Sequence, residues 1–447
     1  MTRQEGYPLE KLALLNGEKT VKLDPGDLFR WPIVTPAHEK AVLEVLRSGR
    51  MSGIDVSKKF EQEYAKKLGR TYGLAYPNGT SAILGGFYGL GVGVGHEVIA
   101  PSLTFWASVL QVYSLGATPV FADVDRDTLC IDPKDVESLI SERTRAIVVV
   151  HYTGMPADMD TLQKIAQKHN VPIFEDCSHA HGTLYKGREV GTFGQAAAFS
   201  VMSGKSFAIG EGGILFTDDR KVYERALLFG HYIRGDEILS PELQRFAGLP
   251  AGGYKHRMHQ LSSAFGLVQL KLYDAQMHTI QKAMNYFCDA LQDQKGIRPI
   301  RPKDPNSSKG GWYFPLFEYL KQELEGLSLT RFAEAIQAEG SVCYPGSNTP
   351  MHLHPLLSEM DVYGHGKPTR FANLPDNIDR SVYLRKLPIS ESIYQSLFQV
   401  PWFKQFDRAR IDEHIAAYRK VLSRYRDLLA ADTGDDSKIG GFSTFFR

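Results

Sequence analysis

The sequence lacks an excess of charge of either sign. Its 447 residues contain 52 Lys plus Arg and 51 Asp plus Glu, which gives a formal net charge of +1. Such a balance provides no broad basic surface for nucleic acid or for an anionic membrane. With 43% hydrophobic and 23% charged residues, the chain also lacks the composition of a disordered protein. We therefore expect a folded protein of two or three domains, without nucleic-acid or membrane partners.

The sequence has only four cysteines, and their spacing matches neither a disulfide framework nor a metal site. Cys130, Cys177, Cys288 and Cys343 form no CxxC pair and no Cys/His cluster at zinc spacing. Residues 1–17 carry charges throughout and have no apolar core of a secretory signal. We expect reduced thiols in a cytoplasmic protein, and no metal centre.

One long uncharged run resembles a membrane span in length but does not have its composition. Residues 98–122 are long enough to cross a bilayer. However, they include two prolines and six Ser, Thr or Gln side chains, whose polar groups lipid cannot satisfy. The run is better explained by a buried strand, a short helix and a second strand.

From about residue 70, short apolar segments typical of buried strands alternate with helical segments. This alternation indicates βαβ units and a mostly parallel sheet. The predicted strands are 73–76, 97–100, 118–122, 146–151, 172–175, 196–200 and 213–217. Helices are predicted at 37–48, 58–68, 81–90, 108–115, 133–139 and 159–169.

The alternation stops near residue 218, where a second unit is predicted. Its helices are expected at 221–228, 262–292, 328–339 and 411–429, with Ser328 as an N-cap. We divide the chain into an N-terminal arm (1–35), a large domain (36–260), a C-terminal small domain with a linking helix (261–430) and a flexible tail (431–447). The predicted fold class is α/β: a large domain with a mostly parallel sheet covered by helices, plus a smaller α+β domain.

The motif around Lys205 is the most specific indication of chemistry in the sequence. Lys205 ends the segment FSVMSGK at 199–205, just past a predicted strand, and the glycine-rich IGEGG follows at 209–213. Burial among such residues would lower the pKa of the amine, as a nucleophile or Schiff-base former requires. Taken alone, the motif fits a surface loop equally well.

An acidic pair, Glu175 and Asp176, ends another predicted strand. The carboxyl edge of a parallel sheet is where α/β folds bind ligands. Strand alternation points only one of the two carboxylates into a site. His179 and His181 follow closely. Loop hydrogen bonding explains them better than a metal pair, because no third ligand has a recognisable spacing.

Two further segments complete a possible binding site. Residues 76–82 (YPNGTSA) precede an apolar helix, where backbone N–H groups and hydroxyls suit an anion. Residues 102–106 (SLTFW) bring aromatic side chains just past a strand. Each alone is explained by a helix cap or by core packing. Combined with Lys205 and Asp176, they predict a planar cofactor with a phosphate, an aldehyde and a basic ring nitrogen, which is pyridoxal 5′-phosphate.

These motifs resemble those of the DegT-type sugar aminotransferases, a branch of the fold type I pyridoxal-phosphate enzymes. The likeness covers about residues 10–430 and is strongest at 78–82, 101–108, 175–182 and 199–213. The resemblance implies that Lys205 forms the Schiff base and moves the proton, and that Asp176 pairs with the pyridinium nitrogen. Phe105 would stack on the ring, with Trp106 as the alternative. The phosphate-binding residues that the resemblance implies are Gly79, Thr80 and Ser81, which lie in one turn, and Ser200.

The sequence departs from the family pattern at two positions. His179 stands where the family usually has glutamine, and it would donate to the phenolic oxygen of the cofactor. Lys255 stands where the family commonly has an asparagine that reaches the phosphate of the neighbouring subunit. The alternative for Lys255 and Arg257 is a basic surface loop. For His352 and His354, contact with the acceptor and a purely structural role are both open.

The resemblance implies an aminotransferase. Glutamate or glutamine would give its amino group to the cofactor, which would then aminate a keto group of a sugar, nucleotide-sugar or cyclitol. We expect a homodimer with shared active sites. One alternative is a pyridoxal-phosphate-dependent sugar dehydratase, in which histidine replaces the lysine. The other is a non-catalytic regulator on the same fold, which has no need of both Lys205 and Asp176.

Overall fold

The computed structural model describes residues 10–441 and contains a large sheet, a small sheet and a short hairpin. In chain order, the strands of these residues are β1 (Tyr72–Tyr76), β2 (Glu97–Pro101), β3 (Thr118–Ala122), β4 (Thr144–Val150), β5 (Ile173–Asp176), β6 (Leu184–Tyr185), β7 (Arg188–Glu189), β8 (Ala196–Ser200), β9 (Gly213–Thr217), β10 (Ile297–Pro299), β11 (Leu316–Tyr319), β12 (Tyr344–Pro345) and β13 (Leu397–Gln399).

The α-helices alternate with the first strands and then dominate the C-terminal half. In chain order, they are α1 (Pro36–Ser48), α2 (Asp55–Leu68), α3 (Gly79–Gly89), α4 (Gln111–Ser114), α5 (Pro133–Leu139), α6 (Met159–His169), α7 (Arg220–Gly230), α8 (Pro241–Gln244), α9 (Gln260–Leu291), α10 (Leu329–Ala338), α11 (Pro355–Ser358), α12 (Pro388–Ile393), α13 (Arg408–Ser423) and α14 (Arg426–Leu429). Short 3-10 turns, such as Trp106–Ser108 and Tyr152–Gly154, join several of them.

The large sheet has the strand order β1-β9-β8-β5-β4-β2-β3. Its strands run parallel except β9, which is antiparallel to both neighbours. Every residue of β2 and β3 is buried, as expected for a sheet covered on both faces. The predicted α/β class with a mostly parallel sheet is confirmed, and all seven predicted strands are present.

Helix α3 packs closely against this sheet because two of the residues at the contact, Gly85 and Gly86, are glycines. A Cβ atom at Gly85 would lie 2.1 Å from the hydroxyl of Tyr76, and one at Gly86 would lie 2.3 Å from the Phe174 ring. The helix starts at Asn78, whose side chain accepts a 2.8 Å hydrogen bond from the N–H of Ser81. This packing brings the N-terminus of α3 to the carboxyl ends of the central strands.

The small sheet is antiparallel, with the order β10-β11-β13-β12, and α10 packs against both β12 and α13. The long helix α9 contacts α1 and α2 on one side and α13 on the other. Ser328 caps α10 as predicted, since its hydroxyl accepts a 3.0 Å hydrogen bond from the N–H of Arg331. A smaller α+β unit at the C-terminal end is therefore confirmed.

Two predicted helices are shorter in the structure than the apolar pattern suggested. The prediction for 108–115 becomes a 3-10 turn (Trp106–Ser108) followed by the single turn α4. The prediction for 411–429 becomes α13 and α14, which are separated at Arg424. None of the helices within the described residues has both the length and the apolar character that a membrane span requires.

The two ends of the described chain attach to the small unit. Buried Glu339 accepts hydrogen bonds from the N–H groups of Ala13 and Thr20 in the arm. At the other end, Asp432 and Asp436 bind the N-terminal turn of α10. Residues 432 and 436 of the predicted tail thus contact the small unit, residues 442–447 lie outside the described part, and the flexible tail stays a prediction.

Candidate active site

One cavity of about 200 Å³ lies beside the carboxyl ends of the parallel strands. Segments far apart in the sequence converge on it, as expected for a ligand site in an α/β fold. Of the predicted site residues, it is lined by Gly79, Thr80, Phe105, Asp176, His179, Ser200 and Lys205. Further lining residues include Asn78, Trp106, Ser108, Ser178, Met202, Glu211 and Tyr313.

Lys205 lies in the loop between β8 and β9, with 7% of its surface exposed. Burial lowers the pKa of its amine from 10.5 to about 7, although attraction to Asp176 acts in the opposite direction. The Nζ lies 3.9 Å from the centre of the Tyr313 ring, and Trp31 Nε1 donates a 2.8 Å hydrogen bond to the carbonyl oxygen of Lys205. Lys205 is therefore a buried amine that is partly unprotonated at neutral pH, which suits a nucleophile.

Asp176 is the last residue of β5 and directs its carboxylate into the cavity. Its Oδ2 accepts a 2.6 Å hydrogen bond from Ser108 Oγ, and its Oδ1 accepts one of 3.0 Å from the N–H of Ser178. Asp176 and His179 thus both line this cavity, with the Asp176 carboxylate fixed by two donors.

Glu175 points to the opposite face, as the strand alternation predicted. Its carboxylate is fully buried and accepts hydrogen bonds of 2.6–2.7 Å from the N–H groups of Gly191, Phe193 and Gly194. His151 Nε2 lies 3.1 Å from the same carboxylate. Because these groups use both of its oxygens, Glu175 has a structural role away from the cavity.

The His179 ring is held in one neutral form. Burial is the main cause that lowers its pKa well below 6.5, and the nearby Lys205 adds to the effect. Its Nδ1 accepts a 3.3 Å hydrogen bond from the N–H of Thr153. A neutral imidazole with an accepting Nδ1 has its proton on Nε2. His179 is therefore a hydrogen-bond donor through Nε2.

His181 does not line the cavity and has a structural role. Its Nε2 is 2.8 Å from the carbonyl oxygen of Ser200, and its Nδ1 is 3.0 Å from the hydroxyl of Tyr64. Burial lowers its pKa to about 3. Since both ring nitrogens have protein partners, His181 fixes the end of β8 and thereby the position of Ser200.

The N-terminus of α3 and the end of β8 approach each other closely at one side of the cavity. A Cβ atom at Gly79 would lie 2.6 Å from the Cβ of Ser200, so this approach requires a glycine. Thr80 also lines the cavity there, whereas Ser81 is absent from its lining and has its N–H bound by Asn78. A helix N-terminus with hydroxyl groups beside it is suited to an anion such as phosphate.

The two predicted aromatic residues both line the cavity. The rings of Phe105 and Trp106 are 5.0 Å apart between centroids, and Trp106 is 40% exposed. Either ring can face a planar ligand. The structure therefore leaves both Phe105 and Trp106 as candidates for stacking on the cofactor ring.

Three predicted residues lie away from this cavity. Lys255 lines a separate small pocket together with Arg234 and Arg257. His352 is buried and bonds Ser102 Oγ at 2.7 Å through Nδ1. His354 accepts a hydrogen bond of 3.0 Å from the N–H of Leu356. The contacts of both histidines favour the structural alternative.

Sequence reasoning missed several residues that shape the site. Tyr313 and Trp31 come from distant segments and carry no local motif, so only the folded chain reveals their contacts with Lys205. Glu211 and Ser178 stood inside the quoted motifs but were given no role. Their position in those motifs was a signal that could have identified them.

The donor set of the cavity fits pyridoxal 5′-phosphate. It provides a buried amine for the aldehyde, a carboxylate for a protonated ring nitrogen, an Nε2–H donor and a helix N-terminus for phosphate. Gly79 has no side chain at the anion end, where a Cβ atom would lie 2.6 Å from the Cβ of Ser200. The residues present therefore agree with the cofactor expected from the sequence.

Comparison with known proteins agrees with this site. The chain matches the DegT/DnrJ/EryC1/StrS aminotransferase family over residues 32–384. An L-glutamine:2-deoxy-scyllo-inosose aminotransferase of Streptomyces fradiae is 36% identical over 323 residues, 69% of this chain and 75% of that protein. The L-glutamine:scyllo-inosose aminotransferase of Streptomyces griseus is 31% identical over 412 residues, 89% of this chain and 95% of that protein.

A solved structure supports the same relationship. The aminotransferase from Psychrobacter cryohalolentis superposes with a TM-score of 0.74 and 25% identity, covering 90% of this chain and 99% of that one. The family match spans well over half of the sequence and includes all the predicted site residues, and its members are pyridoxal-phosphate-dependent enzymes. The chain therefore belongs to the DegT/DnrJ/EryC1/StrS family and is an aminotransferase.

Proposed function

We propose that this aminotransferase uses pyridoxal 5′-phosphate to move an amino group from L-glutamine to a keto group of a sugar or cyclitol. The observation that carries the proposal is the buried amine of Lys205 in a cavity that also holds the Asp176 carboxylate. A surface lysine would stay protonated and would be a poor nucleophile.

Each residue of the cavity has a proposed task. When bound, the cofactor supplies an aldehyde and an electron-accepting ring. The amine of Lys205 would hold the cofactor and would carry the proton that leaves the donor carbon. Asp176 keeps the pyridine nitrogen protonated, because its negative charge favours the charged form. His179 donates its Nε2–H to the phenolic oxygen.

The phosphate of the cofactor is proposed to bind at the N-terminus of α3. Backbone N–H groups of that first turn, with Thr80 and Ser200, supply the donors, and Gly79 gives the space. Ser81 belongs to the same turn but, in this proposal, acts through its hydroxyl, because its N–H is already bound by Asn78. Phe105 or Trp106 would cover the ring.

The donor and the acceptor are proposed from the relatives. The names of the Streptomyces proteins specify glutamine as donor and a scyllo-inosose as acceptor. The cavity agrees with an uncharged polyol, since Glu211, Met202 and Trp106 are among its lining residues. Carboxylate oxygens accept hydrogen bonds from hydroxyl groups.

We further propose a homodimer in which Lys255 reaches the phosphate site of the partner. Exposed apolar side chains are concentrated in the segment that precedes it, and solvent exposure of so many is unusual for a single surface region. They are Tyr232, Ile233, Leu239, Phe246 and Leu249. A lysine ammonium group suits a phosphate. The domain boundary at residue 260 is likewise proposed to separate the cofactor-binding part from the small domain.

A half-reaction tests the function directly. The holoenzyme is mixed with glutamine, glutamate or alanine, and the change of its visible absorption to that of the aminated cofactor is followed. We expect glutamine to react fastest. Addition of a keto-cyclitol should then restore the original spectrum, and keto-sugars should do so more slowly. If no amino acid changes the spectrum, the proposal is wrong.

A further inference from the structure

A second buried lysine, Lys309, lies behind the active site and is not used in the proposed reaction. It is fully buried, and its Nζ donates to Thr153 Oγ1 at 3.3 Å and to the carbonyl oxygen of Ile300 at 3.2 Å. The Nζ also lies 4.8 Å from the Trp312 ring. A buried lysine without a carboxylate partner is costly, so a specific role is expected.

Thr153, the residue that Lys309 holds, has an unusual backbone conformation. Its φ of 52° and ψ of 27° lie in the left-handed region, which is unfavourable for a β-branched side chain. In this conformation its N–H points to His179 Nδ1 at 3.3 Å. The neighbouring Gly154 also has a positive φ of 80°, and a Cβ atom there would lie 3.0 Å from the carbonyl oxygen of Lys309 and 3.1 Å from that of His179. Lys309, Thr153 and His179 therefore form one packed unit.

We propose that Lys309 is a positioning residue that keeps the proton of His179 on Nε2. Its hydrogen bond to Thr153 Oγ1 holds the left-handed turn, and the turn aims the Thr153 N–H at His179 Nδ1. Without this hold, Thr153 relaxes to a more favourable backbone conformation, and Nδ1 loses its donor. The imidazole then takes both neutral forms. The inference rests on the proposed function, since Nε2–H is the group that would bind the phenolic oxygen of the cofactor.

The turn also has backbone hydrogen bonds of its own, from the N–H of Gly154 to the carbonyl oxygen of His151 at 3.2 Å and from the N–H of Met155 to that of Tyr152 at 2.9 Å, but neither involves the Thr153 side chain. The titratable neighbours of His179 are Lys205, His181 and Lys309, and the rings of Tyr152 and Tyr313 pack against it. Burial and these cations keep the imidazole neutral, and the Thr153 N–H is a donor that acts on Nδ1 itself. Around Lys309, the titratable neighbours are the buried thiols Cys130 and Cys288.

Nitrogen-15 NMR of the histidine rings tests the proposal. The full chain is labelled on histidine, with the cofactor bound and after its removal, and the His179 signals are assigned by their loss in His179→Gln. In the wild type we expect Nδ1 to be unprotonated and Nε2 protonated. In Lys309→Met, which has nearly the same volume, we expect signals of both neutral forms.

A matched control and a rescue make the result specific. Lys404 is also buried, has an amine without a hydrogen-bond partner and lies beside Trp402, so Lys404→Met should leave His179 unchanged. Thr153→Gly should restore the Nε2 form in the Lys309→Met background, because glycine adopts a positive φ without a hold. Thr153→Ala should reduce the Nε2-protonated form of His179 as much as Lys309→Met does. The double variant should show no further reduction.

The visible spectrum gives a second measurement with the cofactor bound. A donor at the phenolic oxygen favours its charged form, so its loss should raise the pH midpoint of the cofactor absorption in Lys309→Met. An unchanged Nε2 form in Lys309→Met, or an equal change in Lys404→Met, would overturn the inference. If no variant binds the cofactor while the NMR result holds, then the proposed function fails and the positioning role stands.

Discussion

The amine of Lys205 lies against the face of the Tyr313 ring, with the Nζ 3.9 Å from its centre. Tyr313 comes from the segment between β10 and β11 of the small sheet, and its ring centre is 4.5 Å from that of His179. One side chain thus shields both the amine and the imidazole of the site from water. Through this contact, a residue of the small unit reaches the Nζ of Lys205, which belongs to the large-sheet part.

Replacing Tyr313 tests how the amine is kept reactive. The lowering of the Lys205 pKa from 10.5 to about 7 corresponds to roughly 5 kcal/mol, more than the roughly 1–2 kcal/mol of a cation–π contact. Burial therefore outweighs the attraction of the ring. Tyr313→Ala admits water and should raise the pH midpoint for capture of pyridoxal phosphate by the apoprotein, whereas Tyr313→Phe should keep it. Equal midpoints in all three proteins would show that the ring does not control the amine.

Substitutions at Asp176 and at its hydrogen-bond donor Ser108 should slow the reaction to different extents. Asp176→Asn removes the charge that holds the ring nitrogen protonated, and we expect the half-reaction to slow by roughly 100-fold or more. Ser108→Ala removes one hydrogen bond of 2.6 Å to the carboxylate and should cost about ten-fold. Single-turnover absorbance measures both rates. A larger loss in Ser108→Ala than in Asp176→Asn would be inconsistent with this assignment.

Glu175 should affect stability rather than the reaction. Burial alone would raise its pKa, but hydrogen bonds from His151 and from the N–H groups of Gly191 and Gly194 outweigh it and lower the pKa below 4.5. A lowered pKa in the folded state stabilises the protein above pH 4.5, and this stabilisation is lost as the pH falls through the folded value. Glu175→Gln should lower the melting temperature at neutral pH, and the difference from wild type should shrink on acidification. A constant difference across the pH range would contradict this.

The proposed exchange of Lys255 between subunits can be tested by mixing. Lys205→Ala and Lys255→Ala should each be weakly active or inactive alone. If Lys255 serves the partner's site, a mixed dimer has one site with both lysines intact, so activity should reappear after the two proteins are unfolded and refolded together. Activity that stays at the level of the separate variants would place Lys255 outside the shared site.

The sequence predicted the large sheet well because its strands are short apolar runs between helices. The site residues at the ends of those strands, such as Lys205 and Asp176, could be found for the same reason, since their positions follow from the strand ends. Tyr313 and Trp31 could not be found, because they reach the site from other units through packing that no local pattern records. The tautomer of His179 also depended on the fold, since it is set by the backbone of Thr153.

The extents of some elements were harder to predict than their presence. The end of α13 at Arg424 interrupts a continuous helical pattern, and Arg424 there donates a 3.2 Å hydrogen bond to the carbonyl oxygen of Glu10. Residues 431–441 have the glycines of a loose tail, yet Asp432 and Asp436 bind α10. In both cases the deciding contacts are distant in sequence.

The visible spectrum of Lys205→Ala tests the central claim most directly. Wild type, Lys205→Ala and Lys404→Met, in which a different buried lysine is replaced, are each loaded with pyridoxal phosphate, freed of excess and treated with glutamine. We predict a visible band that disappears with glutamine in wild type and in Lys404→Met, and no such band in Lys205→Ala. A Lys205→Ala protein that keeps the band and responds to glutamine would contradict the assignment of Lys205 as the reactive amine.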